Sequence, residues 1–449
     1  MRVDELDNTL VSEDEDILLL YSSFKELREV PYYIESEILN IVLDEFKIPH
    51  NKDFTLDDKL KKLPIEFINN TIKVLNSKFN ENKKVDYINF YLPYLMYYLP
   101  CNIFKVWKPL IDLHVKNLLR PSLKVLDIGT GPGSITLGII EFYKEMATRY
   151  SCLQFSLSFT LIDKEAEFIK IAKNIVNSIK KYLPSNLSID ILSALNDLVT
   201  ETYKNDELGK FDIIAMSNVL AINELDNNRK GAAILENLSK YIEENGSMIV
   251  IEPGDFPNIE SLKRTRNKLI SKATYNLFSP CNRIWEEKND YSCNCISMTR
   301  TYWKVPTIYK YLSNYGLSKK LRPDVPFSYV VLRIDGMKKY EVIKNQQFYN
   351  KLEELKDYCG ETVNLMAMIR TVVDTKSGKI IALCDGTTSF GEGYSDYCLI
   401  ISDEEICKYF ADVPIIASER INLKKVKVAS EENKIKLYLT DHSKVHIEY

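Results

Sequence analysis

Val125-Leu126-Asp127-Ile128-Gly129-Thr130-Gly131-Pro132-Gly133 is the stretch on which the reading of this 449-residue chain turns. An apolar run closes on a carboxylate, three glycines alternate through the turn behind it, and a helix-period segment follows. Glycine tolerates left-handed backbone and close approach of a ligand, and a helix N-terminus aimed at such a turn offers unpaired N–H groups. A dinucleotide fingerprint reads Gly-x-Gly-x-x-Gly. Here the order is Asp-x-Gly-x-Gly-x-Gly, with Pro132 stiffening the turn. The spacing predicts strand, loop and helix, with Asp127, Gly129, Thr130, Gly131 and Gly133 as the floor of a ligand site.

Outward from this loop, short apolar runs alternate with helical segments, the signature of a parallel sheet covered on both faces. Strands are predicted at Lys124 to Ile128, Ser156 to Ile162, Leu187 to Leu192, Phe211 to Ser217 and Ser247 to Ile251. Ile296 to Trp303 and Phe327 to Ile334 form a terminal pair that completes a Rossmann-like sheet of seven. Ligands of open α/β sheets bind at the carboxyl ends of the strands. Asp163, closing the second strand, is therefore placed to accept from ribose hydroxyls. Asn196 or Asp197, after the third, is a partner for an adenine amine, although helix capping explains both equally well. Ser217 and Asn218 end the fourth strand where a second substrate would lie. No Pro-Pro-aromatic sequence follows Asn218, and no Pro-Cys nucleophile stands there.

The region before Trp107 has no glycine between Asp16 and Trp107 and carries helix-period apolar residues such as Ile17, Leu20, Tyr21, Phe24 and Leu27. Beyond Tyr340 the segments Met366 to Val373, Lys379 to Leu383, Tyr397 to Ile401, Lys424 to Ala429 and Lys434 to Leu439 alternate with period two between turns, which predicts a small antiparallel barrel or sandwich. The expected organisation is a helical region 1–107, an α/β domain 108–340 with a Cys-rich insertion at 278–296, and a β-rich domain 341–449.

The N-terminus is acidic, and no run of eighteen apolar residues occurs, so a soluble, cytoplasmic protein without membrane contact is expected. The net charge of −4 is unevenly spread. From Glu260 to Tyr340 sixteen Lys and Arg stand against six Asp and Glu, a balance of +10 that leaves −14 for the remainder. That asymmetry points to an anionic partner, or to nothing more than uneven surface charge.

Nine cysteines in such a chain argue against a disulfide framework. Cys281, Cys293 and Cys295 are close enough in sequence to converge on one metal, with Cys384 as fourth ligand and Cys359 as the alternative. Thiolates alone do not separate zinc from an iron-sulfur cluster. Cys101, Cys152, Cys398 and Cys407 sit in apolar or aromatic contexts and are expected to be buried thiols. The four histidines show no metal spacing, and none is an evident general base.

The glycine loop is similar to that of class I methyltransferases. More specifically, the chain resembles the methyltransferase-like assembly factors of the mitochondrial small ribosomal subunit and their bacterial relatives. The resemblance rests on Tyr91-Leu92-Pro93, the Asp127 to Gly133 loop, and Val250-Ile251-Glu252-Pro253-Gly254 followed by Arg264 and Arg266. Pro280-Cys281, Cys295, Phe327-Ser328-Tyr329-Val330-Val331-Leu332 and Leu383-Cys384 complete it. It implies S-adenosylmethionine in the glycine-loop site, a four-iron four-sulfur (4Fe-4S) cluster on four cysteines, with Cys293 substituting for the family's second, and contact with small-subunit ribosomal RNA. Two other functions fit the residues: methylation of a small molecule or peptide, and non-catalytic cofactor binding during assembly. Methyl transfer depends more on alignment than on an acid or base, so catalysis is compatible with the missing base.

Overall fold

The computed structural model describes residues 1–449 apart from 5–7, 52, 82–86, 196–207, 221–227, 281–283, 286–297, 317–323, 344–347, 388–395, 412–413 and 432–433. Arg2–Asp4 (β1) and Thr9–Val11 (β2) form a short antiparallel ribbon. The central sheet is built from Arg28–Glu29 (β3), Ser122–Ile128 (β4), Phe155–Asp163 (β5), Leu187–Leu195 (β6), Phe211–Ser217 (β7), Ile242–Pro253 (β8), Asn276–Ser279 (β9), Thr299–Lys304 (β10) and Asp324–Arg333 (β11). Its order is β3-β10-β11-β8-β7-β4-β5-β6, with β9 paired to β11. Strands β4 to β8 run parallel to one another, and β11 lies antiparallel between β8 and β10.

Each expected segment holds a strand among its described residues, but the sheet there has nine strands and not the expected seven. The two additions, β3 and β9, span two and four residues, too short to show a period, and exist only because β10 and β11 offer free edges. Alternation in β4 explains why its sequence reads as one apolar run. Val125 enters a core shared with the N-terminal helices, while Leu126 and Ile128 enter the core on the opposite face. The first of these cores runs from Leu10 and Tyr21 through Trp107 to Phe142 and Phe159, so the N-terminal helices share the sheet's core.

The C-terminal region contains Thr362–Thr375 (β12), Gly378–Cys384 (β13), Tyr397–Ser402 (β14), Arg420–Glu431 (β15), Lys434–Tyr438 (β16) and Lys444–Glu448 (β17). The order β12-β13-β14-β16-β15 closes on itself through β12–β15 pairing, and β14 is parallel to β16. The helix Asp403–Tyr409 links β14 to β15. This is the topology of a five-stranded Greek-key barrel of the OB type, filled by Leu365, Ile369, Ile381, Leu383, Leu399 and Leu437.

Barrel, sheet and N-terminal helices meet at four buried charges. Lys108 and Asp112 come from the helix Trp107–His114, Lys339 from the segment after β11, and Glu419 from the residue before β15; all four are 0–1% exposed. Lys108 Nζ donates to Asp112 and, at 2.7 Å, to Glu419 Oε1. Lys339 Nζ donates to Asp112 Oδ1 at 2.8 Å and to Glu419 Oε2 at 2.6 Å. Tyr21 Oη donates to Glu419 Oε1 at 2.8 Å, Tyr329 Oη to Asp112 Oδ2 at 2.6 Å, and Tyr340 Oη to Glu419 Oε2. Two cations balance two anions, and the phenols occupy the remaining carboxylate lone pairs.

Candidate functional site

Gly129, Gly131 and Gly133 adopt φ of +62°, +52° and +97°, the left-handed backbone that the glycine spacing predicts. A Cβ at Gly129 would stand 2.4 Å from Val219 Cγ2, whereas one at Gly131 would have only Tyr94 Cε1 near it, at 3.9 Å. The loop therefore rests on the end of β7 at its first glycine and opens towards a tyrosine at its second. Its helix, Ser134–Arg149, begins directly after Gly133.

Asp127 is buried at the end of β4 and accepts from Thr130 Oγ1 at 2.9 Å and Thr136 Oγ1 at 2.7 Å, both through Oδ2. Burial outweighs those hydroxyls and pushes its carboxyl up to about 6. Asp163, closing β5, accepts from Gly131 N at 2.8 Å and Glu165 N at 2.9 Å. It thus fastens the glycine loop to β5 and keeps further lone pairs for a ligand. Ser217 and Asn218 end β7, Asn218 with φ of +57° and its N–H on Ile251 O at 2.9 Å. Glu252, near the end of β8, accepts from Leu220 N at 2.9 Å; burial pushes its carboxyl up to about 8.

The sequence-predicted residues Asp127, Gly129, Thr130, Gly131, Gly133, Asp163, Ser217 and Asn218 thus gather at one carboxyl edge. Asn196 and Asp197 lie outside the described residues, as do Cys281, Cys293 and Cys295. Cys384 is buried at the end of β13, and Cys359 is exposed after the turn Leu352–Tyr358. Among the described residues no group of three or more His, Cys, Asp and Glu is arranged to hold a metal ion. Of the four cysteines expected as buried thiols only Cys398 is fully buried. Cys101 is half-buried, and Cys152 and Cys407 are exposed, one in the turn before β5 and the other on the short helix Asp403–Tyr409. Tyr94, Thr136 and Glu252 were not legible as site residues. Tyr94 arrives from a π-helical turn, Tyr94–Tyr98, some forty residues before the loop it faces.

Part of the basic segment is engaged by other residues of the protein. Lys339 belongs to the buried network, and Arg333 is buried and donates to Asp335 and to Ser247 Oγ at 2.7 Å. Lys304 pairs with Glu29, Arg264 with Glu260, and Lys272 with Glu236.

Residues 119–322, somewhat under half of the chain, match a family model described as a methyltransferase domain. No curated protein matches the chain. Among solved structures it is similar to a S-adenosylmethionine-dependent methyltransferase from Methanosarcina mazei, at 12% identity over 49% of this chain and 95% of that one, TM-score 0.29. A S-adenosylmethionine-dependent methyltransferase from Clostridium acetobutylicum shares 15% identity over 52% and 92%, TM-score 0.27. The CcbJ methyltransferase from Streptomyces caelestis shares 10% over 29% and 42%, TM-score 0.21. The chain thus spans less than half the length of the CcbJ enzyme. No helix among the described residues is long and apolar enough to cross a membrane.

Proposed function

We propose that this protein transfers a methyl group from S-adenosylmethionine to an acceptor bound over the ends of β7 and β8. One observation carries the reading. Among the described residues the buried oxygens Asp127 Oδ1, Ser217 Oγ, Asn218 Oδ1 and Glu252 Oε2 have no hydrogen-bond partner, and all lie at the carboxyl ends of β4, β7 and β8. Native proteins seldom leave buried oxygens unsatisfied, so such a concentration beside left-handed glycines fits a polar ligand. The cofactor would supply an electrophilic methyl group. The chain would hold it through the glycine-loop N–H groups and Asp163, and align the acceptor against Ser217 and Asn218. Calorimetric titration with S-adenosylmethionine tests this. Gly131→Arg should abolish binding by filling the open space beside Tyr94; unchanged affinity would refute the assignment.

For the acceptor we infer RNA, with the small ribosomal subunit as its source. The OB-type barrel supports this, since that fold commonly uses its sheet face and loops for oligonucleotides. Strongly salt-dependent binding of purified subunits would agree; tight turnover of a small molecule or peptide without RNA affinity would replace it. The same reading includes a 4Fe-4S cluster on Cys281, Cys293, Cys295 and Cys384, or zinc in its place. Its support is the hydrogen bond from Trp285 Nε1 to Asp385 Oδ2, 2.9 Å, which ties a residue four positions past Cys281 to the neighbour of Cys384. Brown, anaerobically purified protein would favour iron, and colourless protein with stoichiometric zinc would exchange the metal.

A further inference from the structure

The connection from β10 to β11 carries an exposed aromatic pair that no step above employs. Tyr302 lies opposite Asp324 and Phe327 opposite Pro253, so the residues joining β10 to β11 emerge at the edge of the sheet where β8 ends. They include the helix Thr307–Asn314, which is pinned at both ends. Glu35 accepts from Thr307 N at 3.1 Å and from Ile308 N at 2.8 Å, and Asn69 Nδ2 donates to Leu312 O at 3.1 Å and to Tyr315 O at 2.9 Å. Tyr309, on the inward face, stacks on Tyr97 with ring centroids 4.9 Å apart. Tyr97, Tyr98 and Tyr94 continue that row of rings to Gly131.

The outward face of the helix is different. Tyr311 and Tyr315 stand one turn apart, with ring centroids 4.9 Å apart and planes 34° from parallel, and Tyr315 is 53% exposed. Lys310 precedes the pair, and Lys73 Nζ would lie 3.9 Å from a Cβ on Gly316, the residue directly after it. Both lysines are exposed, and among the described residues neither closes a salt bridge. The acids nearby are already engaged: Glu35 by the helix N-terminus, and Asp57, on the adjoining helix Leu56–Lys62, by Lys61 at 2.5 Å.

Single exposed aromatics are ordinary on a protein surface. Here two rings are fixed as a pair, flanked by two cations and set beside the edge of the sheet at which the acceptor is read. Those are the parts of a single-strand binding face: a π-surface for a base and ammonium groups for phosphates. A duplex hides the faces of its bases by stacking them on one another, so only an unpaired base fits. The ends of β8 and β10 are two strand spacings apart, roughly 10 Å, which makes that base a near neighbour of the nucleotide presented over β7 and β8. We propose that Tyr311 and Tyr315 form a stacking platform for an unpaired base of single-stranded RNA, with Lys73 and Lys310 on the adjoining phosphates. This rests on the RNA reading given above.

The test uses the full chain and three labelled probes: an oligouridylate, the same chain without its bases, and an oligoadenylate–oligouridylate duplex. Wild type should bind the oligouridylate more tightly than either of the others. Tyr315→Ala should weaken that binding by roughly five- to a hundredfold, the scale of losing one stacked base, and Tyr311→Ala should act in the same direction. Tyr315→Phe keeps the ring and should stay within about twofold of wild type. Neither alanine variant should change the slope of log affinity against log salt, whereas Lys73→Gln and Lys310→Gln should each make it shallower by about 0.7. An unchanged melting temperature shows that each variant is folded. Alanine variants that bind the oligouridylate as wild type does would overturn the platform and leave the RNA reading standing. So would equal wild-type affinity for the abasic chain or the duplex, or no affinity for the oligouridylate in a protein that binds purified subunits. Loss of subunit binding in the tyrosine variants with oligouridylate binding intact would overturn it in favour of a ribosomal protein on this face. Wild type that binds neither RNA nor subunits would overturn both readings.

Discussion

Two of the regions in which this protein buries polar groups do so in opposite ways. Where the barrel meets the sheet, Lys108, Asp112, Lys339 and Glu419 satisfy one another, and three tyrosine hydroxyls complete their shells. At the carboxyl edge of the sheet, Asp127, Ser217, Asn218 and Glu252 each keep a buried oxygen with no partner among the described residues. Burial alone does not mark a functional site. A saturated network fixes the arrangement of three chain regions, whereas unsatisfied groups converging on glycine backbone leave work for a ligand.

The largest expected effect lies in the saturated region. Glu419→Gln leaves two buried lysines facing a single carboxylate, and should destabilise the protein by about 3–5 kcal/mol, the usual scale for breaking a buried pair. Thermal unfolding followed by circular dichroism would show it. A loss below about 1 kcal/mol would mean that the network is hydrated and would erase the contrast between the regions.

Asp127→Asn sharpens the comparison from the other side. The folded carboxyl is raised to about 6, above the unfolded value of about 3.9. The folded state therefore binds more protons than the unfolded state between those values. The empty wild type loses stability as pH rises from about 4 to 6 and carries the deficit above that. Asparagine removes the titration, so the variant should gain on wild type by about 2–3 kcal/mol between pH 4 and pH 7. Denaturant titrations at the two pH values measure this. A difference between the two proteins that is flat with pH would contradict the burial of an unsatisfied carboxylate.

The smallest effect is expected at the second tie between insertion and barrel. Trp285→Phe keeps the ring among Ile284, Tyr340, Met366 and Met368 but removes the donor to Asp385, which still accepts from Leu352 N at 2.8 Å. About 1 kcal/mol should be lost, read as a small drop in melting temperature. If Trp285→Phe costs as much as Glu419→Gln, the barrel is held mainly by the insertion and not by the four charges.

The sequence by itself determined the main strands of the sheet, the glycine loop and a β-rich C-terminal region, while it left barrel or sandwich open and did not show that β14 runs parallel to β16. What it determined depends on local rules: period two, period 3.6, and glycine at positions of positive φ. The strands Phe211–Ser217 and Gly378–Cys384 fall where alternation and turn residues put them, within a residue or so. Asp127 and Asp163 were legible because a carboxylate closing an apolar strand has one direction in which to face. Only the tertiary structure could decide which buried charges meet. Lys108 and Glu419 are 311 residues apart, and nothing in either neighbourhood predicts the other. Tyr94, in an aromatic stretch that reads as ordinary core, reaches the glycine loop only because that stretch packs beside Gly131. Of the positive charge counted between Glu260 and Tyr340, Arg333 and Lys339 point inward, which the count itself could not show. Pairing at long sequence separation follows from packing, which local pattern does not encode.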